Sequence, residues 1–224
     1  MTTFTASPAV GWRALLLPAH LVLFIPQFVV LLPLRIGFIL AGFVAVPLAL
    51  PFRQYHADTA VPFSQYPGTW QLVTLPRWAW PWSNDRDGAM GDKRGWWHAN
   101  APFGLGADHW LSMLIWLAYR NPANNLRFTK LFGCPVLTTT CTWWGSEVVE
   151  DDPGKGGVRF LVATSGLFPF YGLYWVRQWN ATRALVVQLG FKGEPSDWAE
   201  DYAGDEQRQW KGFTCELNPF KNIG

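Results

Sequence analysis

One long apolar stretch near the N-terminus constrains the fold of this chain more than any other feature. Residues 14–52 read ALLLPAHLVLFIPQFVVLLPLRIGFILAGFVAVPLALPF and hold one formal charge, Arg35, and no acidic residue. A soluble domain of this size cannot easily bury such a stretch, whereas a membrane-spanning helix needs about 20 apolar residues. We therefore expect the lipid bilayer to be a principal partner of this protein.

The stretch is long enough for two helices, and Pro33, Arg35 and Gly37 mark a join between them. We predict a helical hairpin made of residues 12–33 and 34–52. Such a hairpin either crosses the bilayer fully, with Arg35 reaching the far headgroups, or enters one leaflet and returns. A hairpin buried in a soluble assembly is a third alternative.

Basic and aromatic residues flank the apolar stretch. Trp12 and Arg13 precede it and Arg53 follows it. Because cytoplasmic flanks of membrane segments are enriched in Lys and Arg, these residues favour the cytoplasm for both ends of the hairpin. We expect the inner membrane of a host cell, with the bulk of the chain on the cytoplasmic side.

A Trp- and Pro-rich linker follows at residues 54–82. It ends in LPRWAWPW, which contains Trp78, Trp80 and Trp82. Indole rings are amphipathic and concentrate where proteins meet lipid headgroups, so we interpret this segment as interfacial. The alternative is a Trp-rich loop packed on the globular part of the chain.

Composition and motifs exclude several classes of function. The net charge is +2 and the basic residues are scattered, so we expect no nucleic-acid partner. Three cysteines without paired spacing give no disulfide framework. The sequence contains no nucleophile elbow, no phosphate-binding glycine loop and no zinc-protease motif, and we predict no cofactor, metal or catalytic residue.

The most polar stretch is SNDRDGAMGDKRGWWHAN, at residues 83–100. Asp85, Asp87 and Asp92 lie among glycines and basic residues and are candidate binding residues. The pattern partly matches a calcium loop but lacks the bidentate Glu at its twelfth position. We expect these carboxylates to pair with basic neighbours, and the alternative is a membrane-tethered hydrolase that uses this loop.

A helix and a polar corner follow. DHWLSMLIWLAY is apolar nearly all round and should end before Pro122, because the residue before proline avoids helical geometry. The corner carries five candidate binding residues, Arg120, Asn121, Asn124, Asn125 and Arg127. They either clamp the turn by satisfying backbone groups or bind an anionic headgroup or phosphate.

From residue 135 onward, Thr, Val and aromatic residues alternate with a period of two, which predicts antiparallel strands. We place strands at about residues 136–144, 146–150, 157–164, 170–179, 183–191 and 209–216. The predicted fold class is α+β: an N-terminal hydrophobic helical hairpin, a short helical corner, and a C-terminal antiparallel β-meander or small barrel.

These elements define three predicted regions. Residues 1–53 form the membrane hairpin, and residues 54–82 form the interfacial linker. Residues 83–224 form a cytoplasm-facing domain with a helical corner at 105–132 and a sheet at 136–217.

The Asp-rich Gly-Asp loop, the Trp pair that follows it and the Arg-Asn-Pro-x-x-Asn-Leu-Arg motif at residues 120–127 carry a resemblance. Residues 78–127 resemble an uncharacterised family of small tailed-phage proteins. The resemblance implies a phage origin and no mechanism.

We therefore expect a phage-encoded, membrane-associated interaction or structural protein that acts during infection on a phage or host envelope protein. A virion protein that contacts the host membrane is the leading variant. The sequence leaves self-association open.

Overall fold

The computed structural model describes residues 5–57, 71–83, 102–105, 109–135, 139–165, 168–192 and 210–223. The loop that contains Asp85, Asp87 and Asp92 lies outside these residues. The chain forms two compact units. Unit 1 comprises Met1–Leu32 with Arg127–Gly224, and unit 2 comprises Pro33–Leu126.

The apolar stretch forms one helix and not a hairpin. A 3-10 turn at Gly11–Leu16 leads into the α-helix Leu17–Ala49 (α1), and a second 3-10 turn follows at Leu50–Phe52. The predicted join at Pro33, Arg35 and Gly37 is wrong, because all three are helical. No Asn, Asp or Ser supplies turn chemistry there, and a continuous helix satisfies backbone groups that a reversal in an apolar setting would leave unpaired.

Unit 1 contains a seven-stranded sheet made of β1 (Thr5–Pro8), β4 (Gly133–Pro135), β5 (Thr140–Gly145), β6 (Gly157–Ser165), β7 (Phe168–Gln178), β8 (Arg183–Phe191) and β9 (Trp210–Asn222). The strand order across the sheet is β1-β5-β6-β7-β8-β9-β4. Strands β5 to β9 form an antiparallel meander. The α+β class with an antiparallel meander is therefore confirmed.

Two features of the sheet differ from expectation. The N-terminal strand β1 pairs in parallel with β5, with Ala6 opposite Cys141, which makes the sheet mixed. The predicted strand at 146–150 is instead part of the loop that joins β5 to β6. That strand is absent because β5 itself pairs with β6, as far as Gly145 opposite Arg159.

The sheet in unit 1 has apolar side chains on both faces. Val149, Tyr174, Val176, Ala184, Val186 and Ile223 form one buried cluster. Phe24 from α1 joins Phe160, Val162 and Tyr171 in another cluster. Tyr171 and Tyr174 fall on opposite faces of β7, because successive residues of a strand alternate.

Unit 2 contains a short hairpin and a small helical core. Strand β2 (Gln54–Ala57) pairs antiparallel with β3 (Gln71–Thr74) within the predicted linker, and a 3-10 helix follows at Arg77–Trp82. The helix α2 (Trp110–Ile115) continues as a π-turn, Trp116–Arg120. The buried core consists of Val46, Ala49, Leu50, Leu75, Ala79, Met113, Trp116, Leu117 and Ala118.

The helical segment that contains α2 ends at Arg120, before Pro122, as the sequence predicts. Asn121 leaves the helix with φ −133° and ψ 56°, and its N–H donates to the carbonyl of Trp116 at 2.8 Å. A 3-10 helix, Asn124–Phe128, follows. At the start of α2 the capping residue is His109, whose Nδ1 accepts from the N–H of Leu111 at 3.2 Å.

Candidate membrane-binding surface

The exposed side chains of α1 are apolar in both halves of the helix. We call this set the apolar helix surface: Leu21, Val22, Leu23, Ile25, Val29, Val30, Leu34, Ile36, Leu40, Phe43, Val44 and Leu48. Arg35, the only formal charge in the helix, is half-buried. Water solvates such a surface poorly, and contiguous apolar patches of this kind mark sites that bind a membrane or a protein.

By length and composition, Gly11–Phe52 is the one segment of the described chain apolar enough to cross a membrane. The most apolar 18-residue window of this segment has a mean hydropathy of 2.4, and only 17% of that window is buried. A core helix of a soluble protein would be mostly buried. Much of this helix is therefore exposed on the protein surface and is not part of a protein core.

The first half of α1 packs one stripe of side chains against the sheet of unit 1. Phe24, Gln27 and Phe28 lie at the three- and four-residue spacings that share a helix face. The ring centroid of Phe24 lies 5.8 Å from that of Phe160, and that of Phe28 lies 5.6 Å from that of Phe213. This packing leaves the remaining circumference of the helix exposed.

Gln27 joins the helix to strand β7 through its carboxamide. Its Nε2 donates to the carbonyl of Pro169 at 2.9 Å, and its Oε1 accepts from the N–H of Tyr171 at 3.1 Å. The pairing of β7 with β8 begins only at Gly172 opposite Gly190. The side chain of Gln27 thus takes the place of a neighbouring strand where the ladder stops.

Gly190 allows a close approach beside this junction. Its φ is +83°, and an added Cβ would lie 2.3 Å from the carbonyl oxygen of Tyr171 and 3.1 Å from the ring of Phe24. Only glycine fits both the backbone conformation and the space.

The two ends of the helical segment carry the predicted flanking residues. Trp12 is exposed, and the guanidinium of Arg13 lies 5.9 Å from its ring centroid. At the other end Phe52 is exposed, while Arg53 donates from Nη1 to the carbonyl of Leu50 at 3.1 Å. Arg53 therefore satisfies a carbonyl at the end of the helical segment.

The three tryptophans of the predicted interfacial segment differ in exposure. Trp78 is exposed, whereas Trp80 and Trp82 are half-buried. The indole N–H of Trp82 donates to the carbonyl of Phe38 at 2.6 Å, and Gly42 leaves room for the ring, since an added Cβ would lie 2.8 Å from it. Of the three rings, Trp78 has the largest surface available for contact with lipid headgroups.

Within unit 2, the polar corner combines exposed and buried groups. Arg120 is exposed, and Asn121 and Asn124 are half-buried. Asn125 is fully buried, and its Nδ2 donates to the carbonyl of Trp80 at 3.0 Å. That hydrogen bond fits the interpretation of Asn125 as a clamp that holds two segments of unit 2 together.

Arg127 belongs to unit 1. Its guanidinium lies 4.7 Å from the ring centroid of Phe128. Its backbone passes close to Gly133, where an added Cβ would clash with the carbonyl of Arg127. Arg127 thus contacts Phe128 through its side chain and approaches Gly133 through its backbone.

His20 and Tyr171 place polar atoms between α1 and the sheet. The His20 ring centroid lies 5.4 Å from that of Trp144 and 5.8 Å from that of Tyr171. His20 Nδ1 and the Tyr171 hydroxyl are buried without a hydrogen-bond partner among the described residues. Burial raises the pKa of Tyr171. The sequence does not single out Tyr171, because it is one of several aromatic residues that alternate along the same strand.

Arg159, a residue of strand β6, donates hydrogen bonds to the loop that joins β5 to β6. The side chain is buried, its Nε donates to the carbonyl of Ser146 at 3.1 Å, and Nη2 donates to that of Glu147. Burial lowers the pKa of Arg159. Burial also raises the pKa of Cys141 to about 12, although the charge of Arg159 opposes this shift.

A small ion-pair cluster lies at the surface of unit 1. Lys221 pairs with Asp151 at 2.6 Å and with Glu216 at 3.2 Å. Burial works to lower the pKa of Lys221, but the hydrogen bonds and charges of the two carboxylates outweigh it, and the pKa is raised.

Among the described residues, no group of His, Cys, Asp and Glu could hold a metal ion.

The sequence matches the model of one protein family. Residues 20–224 match the profile of a family of unknown function, DUF7338. The chain belongs to this family. The match begins within α1 and covers strands β4 to β9 and the polar corner, so the DUF7338 region includes the whole apolar helix surface. Comparison with curated proteins and with solved structures gave no match. The expectation of an uncharacterised family is confirmed.

Proposed function

We propose that this DUF7338 protein is a membrane-associated interaction or structural protein that a tailed bacteriophage encodes and uses during infection. The observation that carries the proposal is the apolar helix surface. Its twelve apolar side chains extend from Leu21 to Leu48 without an exposed charge. Lipid solvates such a surface, whereas exposure to water costs about 25 cal/mol per Å² of apolar area.

The proposed phage origin rests on the resemblance of residues 78–127 to tailed-phage proteins. The proposed partners are the lipid bilayer and a phage or host envelope protein. The leading variant is a virion component that contacts the host inner membrane while DNA enters the cell.

The basic residues at both ends support a location at the cytoplasmic leaflet. Arg13 and Arg53 flank the apolar segment. Cytoplasmic leaflets are anionic and attract Lys and Arg near their surface by about 1 kcal/mol each. The bulk of the chain is then cytoplasmic.

Flotation with vesicles tests the proposal. Purified protein is mixed with vesicles of phosphatidylethanolamine and phosphatidylglycerol and centrifuged through a density gradient. The double variant Ile25→Glu/Val29→Glu should bind at least about 100-fold more weakly than wild type, because transferring these two exposed apolar side chains from water into lipid is worth about 3 kcal/mol or more.

The matched control is Val158→Glu/Leu217→Glu, which places the same charges at exposed apolar positions of the sheet. This control should float like wild type. Equal flotation of the two double variants would contradict a specific role for the apolar helix surface.

The hydrolase alternative is tested in infected cells with the triple variant Asp85→Asn/Asp87→Asn/Asp92→Asn. The proposal predicts that this variant retains function, while Ile25→Glu/Val29→Glu loses it. The reverse result would favour the hydrolase.

A further inference from the structure

The position of β1 in the sheet restricts how α1 can meet a bilayer. β1 precedes the helix in the chain, and β5 follows it, yet the two strands pair in parallel within unit 1 from Thr5 opposite Thr140 to Pro8 opposite Trp143. The N–H of Ala9 extends the ladder by donating to the carbonyl of Trp143 at 2.8 Å. The chain on either side of α1 therefore meets in one sheet.

A helix that crossed the bilayer once would place these two strands on opposite sides of the membrane. To pair with β1, the chain would have to cross a second time before β5. Among the described residues, Gly11–Phe52 is the one segment long and apolar enough for a crossing. The pairing of β1 with β5 is thus incompatible with a single transmembrane pass.

The length of the helix and its packing on the sheet also disfavour a perpendicular orientation. The 33 residues of α1 extend for about 50 Å at about 1.5 Å per residue, whereas the hydrocarbon core is about 30 Å thick. Along its first half, Phe24, Gln27 and Phe28 hold the helix against the sheet. A perpendicular helix would carry sheet edges with unpaired backbone groups into hydrocarbon, where each unpaired group is costly.

We infer that α1 lies in the plane of the membrane, within one leaflet, with the apolar helix surface in the acyl chains and the sheet on the aqueous side. This inference rests on the proposed membrane association and specifies its geometry. An ordinary interfacial helix carries its own charged face. Here the sheet of unit 1 covers the opposite face of the first half of the helix.

The residues at the ends of the helical segment fit an in-plane helix. Trp12 and Arg13 at one end, and Arg53 at the other, would all lie at the same headgroup level. Both ends then remain on one side of the membrane, as the sequence predicts for the ends of a hairpin. The bilayer is the occupant that these apolar and basic residues fit together.

Spin-label depth measurements test the inference. Single cysteines replace Val22, Val29, Ile36 and Phe43 in a Cys215→Ser background, since Cys134 and Cys141 are buried. Residues seven apart return to nearly the same side of a helix, and all four positions are exposed. The series covers about 32 Å of helix, similar to the thickness of the hydrocarbon core.

Each labelled protein is bound to the same phosphatidylethanolamine and phosphatidylglycerol vesicles, and depth is measured from the ratio of oxygen to nickel-chelate accessibility. A label at Leu217→Cys, exposed on β9, serves as the aqueous control. Near-ultraviolet circular dichroism confirms that each variant keeps the fold. The inference predicts one shallow depth at all four helix positions.

Two results would overturn the in-plane geometry while membrane association stands. A depth that is greatest at positions 29 and 36 and falls toward positions 22 and 43 would indicate a spanning helix. Labels that exclude both reagents and broaden one another would indicate a second copy of the chain on the same surface. If wild type fails to float with the vesicles, the proposed function fails first.

Discussion

Replacing Gln27 with Met tests how α1 is held to the sheet. The thioether side chain has similar length and volume but cannot donate or accept as the carboxamide does. The substitution removes the hydrogen bonds to the Pro169 carbonyl at 2.9 Å and from the Tyr171 N–H at 3.1 Å. Because β8 does not pair with this part of β7, those two backbone groups lose their partner.

The expected loss of stability follows from these two groups. A buried backbone group left without a partner costs about 1–3 kcal/mol. Tyr171 is buried and Gln27 is half-buried, so we place the combined cost of Gln27→Met at about 2–4 kcal/mol. In a protein of this size, each kcal/mol lowers the Tm by about 3 °C, which gives a decrease of about 6–12 °C.

The assay is thermal unfolding in detergent micelles, followed by circular dichroism and by tryptophan fluorescence. The control is Leu23→Met, at an exposed position of the same helix, which should change the Tm by less than about 2 °C. Equal Tm values for Gln27→Met and Leu23→Met would refute the bridge between α1 and β7.

Three further predictions concern unit 1. Gly190→Ala should lower the free energy of unfolding, measured by denaturant titration, by about 3 kcal/mol or more, because the added Cβ would clash with the carbonyl oxygen of Tyr171. The control Gly154→Ala, also at positive φ but with open space around the added Cβ, should cost about 1 kcal/mol. With a thiol reagent at pH 8, exposed Cys215 should react in the folded protein. Cys141 should react only after denaturation, because it is buried and its pKa is raised to about 12. A fast reaction of Cys141 in the folded protein would contradict its burial. Lys221→Met should destabilise the fold by about 1 kcal/mol at neutral pH. Since the folded pKa of Lys221 is raised above 10.5, this difference should be full below pH 10.5 and should disappear as the pH rises through the folded pKa; a constant difference in stability across that range would exclude the ion pair as its cause.

The meander was predictable because its strands carry local signals. Residues 183–191 alternate in side-chain character and follow an Asn-Ala-Thr turn, and β8 has those same bounds. Residues 157–164 lie within β6, and the strand predicted at 170–179 corresponds to β7. Period-two patterning and turn chemistry are encoded within each segment, so no knowledge of distant partners is needed.

The hairpin prediction failed because several helix-breaking signals were given too much weight. Pro33 and Gly37 are poor helix formers in water, yet both lie inside α1. Proline keeps a φ compatible with helix, and an apolar environment penalises the unpaired backbone of a turn. Composition identified the apolar stretch correctly, but it could not distinguish one long helix from two.

The remaining features depend on long-range contacts. The strand β1 is only four residues long, and its parallel pairing with β5 spans more than 130 positions of sequence. The contacts of Gln27 with β7 are similarly remote, with 142 and 144 positions between partners. A polar residue in an apolar stretch signals a buried partner, but the sequence does not identify that partner.

The behaviour of the unmodified 224-residue protein without detergent is the most direct test of the proposed membrane association. Sedimentation velocity is measured with and without vesicles of phosphatidylethanolamine and phosphatidylglycerol. The account predicts that the protein alone self-associates through its apolar helix surface and that it transfers to the vesicle fraction when lipid is present. A stable, freely soluble monomer that does not bind the vesicles would contradict the proposed membrane association.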